Sequence, residues 1–370
     1  MRILYTHALL IYSVNMARIR WTAPEYKKSE VDSAGKVLTQ QNPTTNDLEK
    51  ALTVMNNWRS AHSFPMNTFK IRLGRAAKRV DKEALVVQRL KRVPSIIKKL
   101  KRPQTSTMKL SQMQDIGGCR AVLSDVSLVK KLYATYSDKR QSRGLKHKKV
   151  NEKDYIKDPK PDGYRSIHLI YKYKSDKKST YDGTLVEIQI RSKIQHAWAT
   201  AVETVDLFTK QAIKSNEGRP EWVEFFKMVS SAFALMEGEP TVAGTSSDPV
   251  ILKAEIARQV DELRVFQKME KWTKAITIIE PKMRELHFFL LVLDVSEENK
   301  EKLEIRGYLK DAERTATDQY LEAEKSQGHN LDKDVVLVAA DSIDELKKAY
   351  PNYFIDTSHF LGYLKSYLAS

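Results

Sequence analysis

The 370-residue chain has one cysteine, Cys119, few glycines and prolines (13 and 12) and no long apolar run. A single cysteine excludes an intrachain disulfide and any multi-cysteine zinc site. No stretch reaches the roughly 20 apolar residues that a spanning helix needs. The longest candidate, 3–17, is interrupted by His7, Ser13 and Asn15, has only Arg2 before it, and is followed by Arg18 and Arg20. It reads neither as a signal peptide nor as an anchor. The expected setting is the cytoplasm, without a membrane partner.

Acid is scarce in the front of the chain. The net charge is +16, with 63 Lys plus Arg against 47 Asp plus Glu. Residues 251–370 hold 18 basic and 22 acidic residues, so the first 250 carry a net charge of +20. Between Asn67 and Gln112 there are 14 basic and two acidic residues. A second cluster, Lys139, Arg140, Arg143, Lys146, Lys148 and Lys149, contains no acid. Such a balance points to polyanionic partners, nucleotides or RNA, although a solvated basic face fits each run taken alone.

With 41% hydrophobic and 9% aromatic residues, the chain is too apolar for disorder. Its length suits two domains. Residues 1–15 read as an extension ahead of a second plausible start at Met16. Helical patterns run to about Lys78. Strands are expected at Cys119–Val126, Arg165–Lys174 and Leu185–Ser192, with helices at Lys193–Phe208 and Glu221–Met236. The stretch 237–249 (EGEPTVAGTSSDP) is the best linker. Beyond it come a long helix at 250–272, strands at 286–295 and 335–339, and helices at 309–326 and 342–350.

Four groups carry chemistry. The run from Val186 to Arg191 alternates without a break. In a strand it puts Glu187, Gln189 and Arg191 on one face and Val186, Ile188 and Ile190 on the other. Asp115 precedes a Gly117–Gly118 pair and the strand opening at Cys119. Two carboxylates at strand positions, Asp115 and Glu187, can share a magnesium ion that bridges phosphate oxygens. If the segment around Arg89 is extended, Val87, Arg89 and Lys91 share a face. Pro94 then suits a first helical turn, and Ser95 and Lys99 lie four apart beside free backbone amides, where phosphates bind. The fourth group is Asp154-Tyr155-Ile156, a Pro- and Asp-rich loop, then Gly163 to His168. There Tyr164 can offer its ring to a base. Each group alone also admits an ordinary reading: a half-exposed strand, a turn, a basic helix, core packing.

Taken in order, DIGGCR, DYIKDPKPDGYRSIH and VEIQIRSKIQHAWATAVE resemble the synthetase domain of RelA/SpoT-homologue alarmone synthetases, over roughly 58–208. QRLKRVPSIIKKL is similar to that family's ATP-binding strand and helix. The resemblance implies an α/β, nucleotidyltransferase-like mixed sheet with flanking helices. It implies an enzyme that moves pyrophosphate from ATP to a 3′-hydroxyl, with Mg2+. Arg89 and Arg120 would sandwich adenine, and Lys91, Ser95 and Lys99 would hold its phosphates. Asp115 and Glu187 would bind magnesium, with Glu187 activating the hydroxyl. Tyr155, Tyr164, His168, Gln189 and Arg191 would form the acceptor side. The metal-binding pattern of a hydrolase domain is not visible, since the eight histidines are scattered.

The resemblance implies two acceptor classes, and the basic front favours the one used by some toxic members of the family, the 3′-terminal adenosine of tRNA. The alternative is a guanine or adenine nucleotide, giving (p)ppGpp or ppApp. A binding module without catalysis is the third reading, opposed by the intact acidic pair. The segments LHFFLLVLD, TATDQYLEAEK, DVVLVAADS and AYPNYF resemble the fused regulatory domain of CapRel-type toxin–antitoxin proteins. That resemblance implies a small α+β domain at 273–370, joined by a helix at 249–272 to a toxin domain at 16–248. It further implies autoinhibition through Tyr350 and Tyr353, and release by a phage capsid protein in antiphage defence. The two tyrosines, at a helix end stopped by Pro351, are expected to project beyond their own domain's core. A monomer is the expected state.

Overall fold

The computed structural model describes residues 21–102, 107–137, 146–209, 220–275, 277–279, 286–294, 302–327, 333–340, 342–351, 353–354 and 356–370. The extension at 1–15 and Lys139, Arg140 and Arg143 lie outside them. Three helices open the described chain: α1 (Lys28–Val37), α2 (Thr45–Ser60) and α3 (Ser63–Val80). Then follow β1 (Leu85–Leu90), α4 (Val93–Lys101), β2 (Gly117–Leu123), α5 (Val126–Ser137), β3 (Lys148–Asp154), β4 (Ile167–Lys172), β5 (Leu185–Ser192) and α6 (Lys193–Thr209). Helices α7 (Pro220–Glu237), α8 (Pro249–Leu263) and α9 (Val265–Ala275) come next. The chain continues through β6 (Thr277–Ile279), β7 (Phe288–Asp294), β8 (Lys302–Tyr308), α10 (Glu313–Gln327), β9 (Lys333–Ala339), α11 (Ile343–Ala349) and α12 (Ser358–Ala369).

The strands form one mixed sheet in the order β3-β4-β5-β2-β1-β9-β7-β8-β6. β2 and β5 run parallel at its centre, as the crossover through α5 and a hairpin requires. β1 pairs antiparallel with β2 on one side and with β9 on the other, through Gln88↔Ala339 and Arg89↔Val338. The C-terminal α+β unit is therefore built into the same sheet as the front strands.

The register separates two faces. Val186, Ile188, Ile190, Leu169, Cys119 and Ala121 pack with Phe69 and Leu73 of α3 and Val129 and Leu132 of α5. The opposite face carries Arg89, Gly118, Arg120, Glu187, Gln189 and His168, aligned by the pairs Arg89↔Gly118, Gly118↔Glu187, Arg120↔Gln189 and His168↔Gln189. A second core joins α6 to α9. The final helix, α12, packs there through Phe360, Leu361, Leu364 and Tyr367, although it follows the C-terminal strands in sequence.

Two expectations change. The single helix at 250–272 is broken at Arg264, which adopts a left-handed φ of 53°. Because α8 can end there, Val265 and Met269 turn into the core, where both are fully buried; that burial offsets the roughly 1–2 kcal/mol cost of the conformation. Between the end of α7 at Glu237 and Pro249 the segment does lack helix and strand, yet it is pinned. The Val242 amide donates to Ser231 Oγ at 2.9 Å, and the Pro240 carbonyl accepts from Arg165 Nη2 at 2.6 Å. Among the described residues no helix is long and apolar enough to cross a membrane.

Candidate active site

A cavity of about 260 Å3 opens on the polar face of β1, β2 and β5. Gln88, Arg89, Lys91, Asp115, Gly118, Arg120, Tyr164, Glu187, Gln189 and Arg191 all line it. Most of the residues expected for the site thus meet in one place. Alternation in β5 delivers three of them, and the pairing of β1 and β5 with β2 brings the rest alongside.

Asp115, just ahead of β2, receives Lys91 Nζ at 2.9 Å on Oδ2 and Lys99 Nζ at 3.0 Å on Oδ1. Burial works against its charge, but the two ammonium groups outweigh it and hold the carboxyl at about 2. Lys91 in turn is lowered by burial, with Asp115 opposing. Ser95 sits on α4 behind its extended N-cap residue Arg92, with Pro94 in the first turn. Among the described residues, Ser95, Lys99, Tyr155 and His168 are not cavity-lining; Lys99 and His168 reach the site through Asp115 and Glu187.

Glu187 is held on both oxygens. His168 Nδ1 lies 2.8 Å from Oε1, and Gln189 Nε2 donates to Oε2 at 2.8 Å. Arg120 Nε donates to Gln189 Oε1 at 3.2 Å, which fixes the amide's orientation. Burial opposes ionisation of Glu187, yet His168 keeps its carboxyl below the usual value. The reciprocal effect appears on His168. Burial disfavours the imidazolium, but Tyr164 and Glu187 raise it to about 9. Tyr164 Oη is 2.9 Å from His168 Nε2, so the ring bridges a carboxylate and a phenol.

Tyr155, Tyr164 and His168 form an edge-to-face set with centroids 5.2–6.1 Å apart, and Lys160 Nζ stands over both tyrosine rings at 4.8 and 5.0 Å. Gly163 makes this turn possible. Its φ is +91°, and a Cβ would meet Ser230 at 2.9 Å and Trp198 at 3.0 Å. Arg165, buried next door, ties the loop to the Ile156 carbonyl, Ser230 and Pro240.

Four polar lining residues escaped the sequence reading: Gln88, Lys160, Asp162 and Glu203. Glu203 acts on Arg89, whose charge burial opposes and Glu203 with Tyr353 and Tyr350 favours. An acid inside the apolar helix run from Ala197 to Val205 was the available signal. Tyr350 also lines the cavity, and its hydroxyl donates to the Gln88 carbonyl at 3.0 Å. Tyr353 does not line the cavity. It is fully buried, in one cluster with Tyr350, Leu346 and Val87 of β1. Because the sheet is continuous across β1, both rings serve its core.

Residues 88–210 match the model of the region found in RelA / SpoT proteins. The GTP pyrophosphokinase YjbM of Bacillus subtilis (strain 168) is 35% identical over 118 residues, 31% of this chain and 52% of that protein. These residues form a RelA/SpoT-type domain. The GTP pyrophosphokinase YwaC of the same organism is 35% identical over 115 residues, 30% of this chain and 52% of that protein. The chain spans about half the length of the curated relatives it matches. Among solved structures, small alarmone synthetase 1 from Bacillus subtilis bound to its product pppGpp shares 26% identity, with a TM-score of 0.38, over 47% of this chain and 88% of that one. The RelA/SpoT-type domain contains every cavity-lining residue except Val87 and Tyr350.

Proposed function

We propose that the RelA/SpoT-type domain is a pyrophosphokinase that moves pyrophosphate from ATP to the 3′-hydroxyl of the terminal adenosine of tRNA. The observation that carries the transfer is the juxtaposition of Asp115 and Glu187 in a cavity also lined by Arg89, Arg120 and Lys91. Arg89 lies opposite Gly118, so Arg120 is its diagonal neighbour on the same face. Diagonal neighbours stand about 7–8 Å apart. That is within reach of two long side chains, which can close on one flat ring from either side. Adenine fits between them, with its phosphates towards Lys91, Lys99 and the start of α4.

The donor set also fits Mg2+, which takes one or two carboxylates and completes its shell with phosphate and water. Asp115 and Glu187 repel one another across the cavity, a repulsion that a cation relieves. When bound, the ion would neutralise the phosphate charge. The protein's part is then positional. Lys91 and Lys99 pass from Asp115 to phosphate, while His168 and Gln189 hold Glu187 ionised and aimed at the acceptor hydroxyl as its base.

Support for a polyanionic acceptor comes from β3 and β4. Lys148 pairs directly with Lys172, and Lys153 pairs with His168. All three lysines are exposed. Like charges directly opposed cost stability, and edge protection explains Lys148 but not Lys172 on the inner strand. A phosphate backbone laid along this face removes the repulsion and leads the 3′ end to Tyr155 and Tyr164. The names of the two curated relatives favour the second reading, a guanine nucleotide acceptor.

Regulation follows the same reading. The C-terminal segment acts as a built-in inhibitor of a toxic enzyme, supported by Tyr350 on the wall where adenine would sit, and a phage capsid protein releases it in antiphage defence. Gamma-labelled ATP incubated with tRNA, GDP, GTP and ADP in parallel tests the acceptor. Label on tRNA supports the first reading, and label on GDP or GTP alone replaces it with the second. Addition of capsid protein tests the release; no rise in transfer removes that trigger.

A further inference from the structure

Arg191 ends the polar face of β5 in an unusual state. It is 3% exposed, and its Nε is buried without a hydrogen-bond partner among the described residues. Burial and the nearby Arg120 guanidinium pull its pKa down to about 9. Its Nη2 donates to Nδ1 of His196 on α6. On the other side of the same ring, His196 Nε2 lies 3.2 Å from the backbone carbonyl of Lys348 on α11.

The chemistry of the two partners fixes the ring. A guanidinium only donates, so Nδ1 must carry the lone pair; a carbonyl only accepts, so Nε2 must carry the proton. Both contacts select the same neutral tautomer. Burial, then the Arg191 and Arg120 charges, hold the His196 pKa well below the ordinary histidine value, so protonation does not supply a second donor.

We propose that His196 is a positioning residue that couples the place of α11 to the orientation of Arg191, and through it to binding of the acceptor's phosphates. When α11 shifts, Nε2–H loses the Lys348 carbonyl. The ring is then held by Arg191 alone and is free to turn about its Cβ–Cγ bond, which carries the Nδ1 lone pair away from the guanidinium. Arg191 turns away, and its fork changes direction relative to the cavity. The consequence for the acceptor rests on the reading of Arg191 as an acceptor-side group; the coupling itself does not.

A double-mutant cycle in the full chain tests it. Leu346→Ala thins the packing beneath α11, because Leu346 is fully buried there. His196→Asn keeps an acceptor near the Nδ1 position but is too short to reach Lys348. The readouts are the Arg191 Nε–H resonance of a 15N-arginine-labelled chain and the KM for the acceptor. Leu346→Ala is expected to shift the resonance and change KM several-fold in the wild-type background, and to do neither when His196→Asn is present. Should Leu346→Ala fail to fold, Lys348→Gly loosens the last turn of α11 while keeping its carbonyl. An undiminished effect of the α11 change on the Arg191 resonance in the His196→Asn background overturns the proposal. A chain that transfers pyrophosphate to no acceptor overturns the proposed function, while the resonance still decides the coupling.

Discussion

The Tyr350 hydroxyl donates to the Gln88 backbone carbonyl at 3.0 Å, joining residues 262 positions apart at the wall of one cavity. Gln88 is a β1 residue beside Arg89, and β1 also carries the β9 pairing. The hydrogen bond therefore reports whether the C-terminal segment is seated. Tyr350→Phe removes the hydrogen bond and keeps the ring, at a cost of about 1 kcal/mol. It is expected to lower the thermal midpoint slightly and to tighten ATP binding several-fold by calorimetry. Weaker ATP binding would identify Tyr350 as a support for the nucleotide and not a block.

Glu187→Gln is nearly isosteric and is expected to leave the fold intact while lowering transfer by at least about a thousandfold, since an amide neither binds magnesium well nor takes a proton. The same change removes the anion facing His168 Nδ1. The His168 pKa, about 9 in the native chain, is expected to fall towards the ordinary histidine value in an NMR titration. Retained transfer would remove Glu187 from the chemistry.

The Glu187–His168 pair also fixes a pH window for stability. His168 has its pKa raised, so its contribution is fully present below about 6.5 and disappears as pH rises through about 9. Glu187 has its pKa lowered, so its contribution is present above the ordinary value of 4.5 and disappears as pH falls. His168→Gln should therefore destabilise the chain by about 2–3 kcal/mol at pH 6, and much less at pH 10. Urea midpoints at the two pH values measure the difference. An equal loss at both would mean that His168 contributes packing and not charge.

The parts legible in sequence are those whose residues report their own surroundings. Val186 to Arg191 alternates, so the strand and its functional face could be read without the fold. Arg89 and Lys91 were readable only on the condition that their segment is extended, and β1 meets that condition as far as Leu90. β3 was not legible. It is lysine-rich, and a register shift between Lys149 and Asn151 breaks the period of two. The break at Arg264 carries no glycine to announce it. Tyr350 and Tyr353 looked superfluous to a small domain because the extension of the sheet through β1 and β9 is a tertiary event. Glu203 takes on its role only when α6 packs over Arg89.

Neutralising Lys148, Lys153 and Lys172 together to glutamine tests the acceptor face. It is expected to weaken tRNA binding and to reduce the slope of log affinity against log salt by up to about one for each phosphate that is no longer neutralised. ATP binding should persist, because these residues are remote from Lys91 and Arg89. An unchanged salt slope would exclude this face as the RNA track.

The central claim is pyrophosphate transfer at Asp115 and Glu187. Its most direct measurement follows label from gamma-labelled ATP into tRNA, GDP, GTP or ADP, using the wild-type chain, Tyr350→Phe and Glu187→Gln side by side. The predicted result is label on the 3′-terminal adenosine of tRNA, increased by Tyr350→Phe and abolished by Glu187→Gln. No labelled acceptor with any of the chains, or label that survives Glu187→Gln, would contradict it.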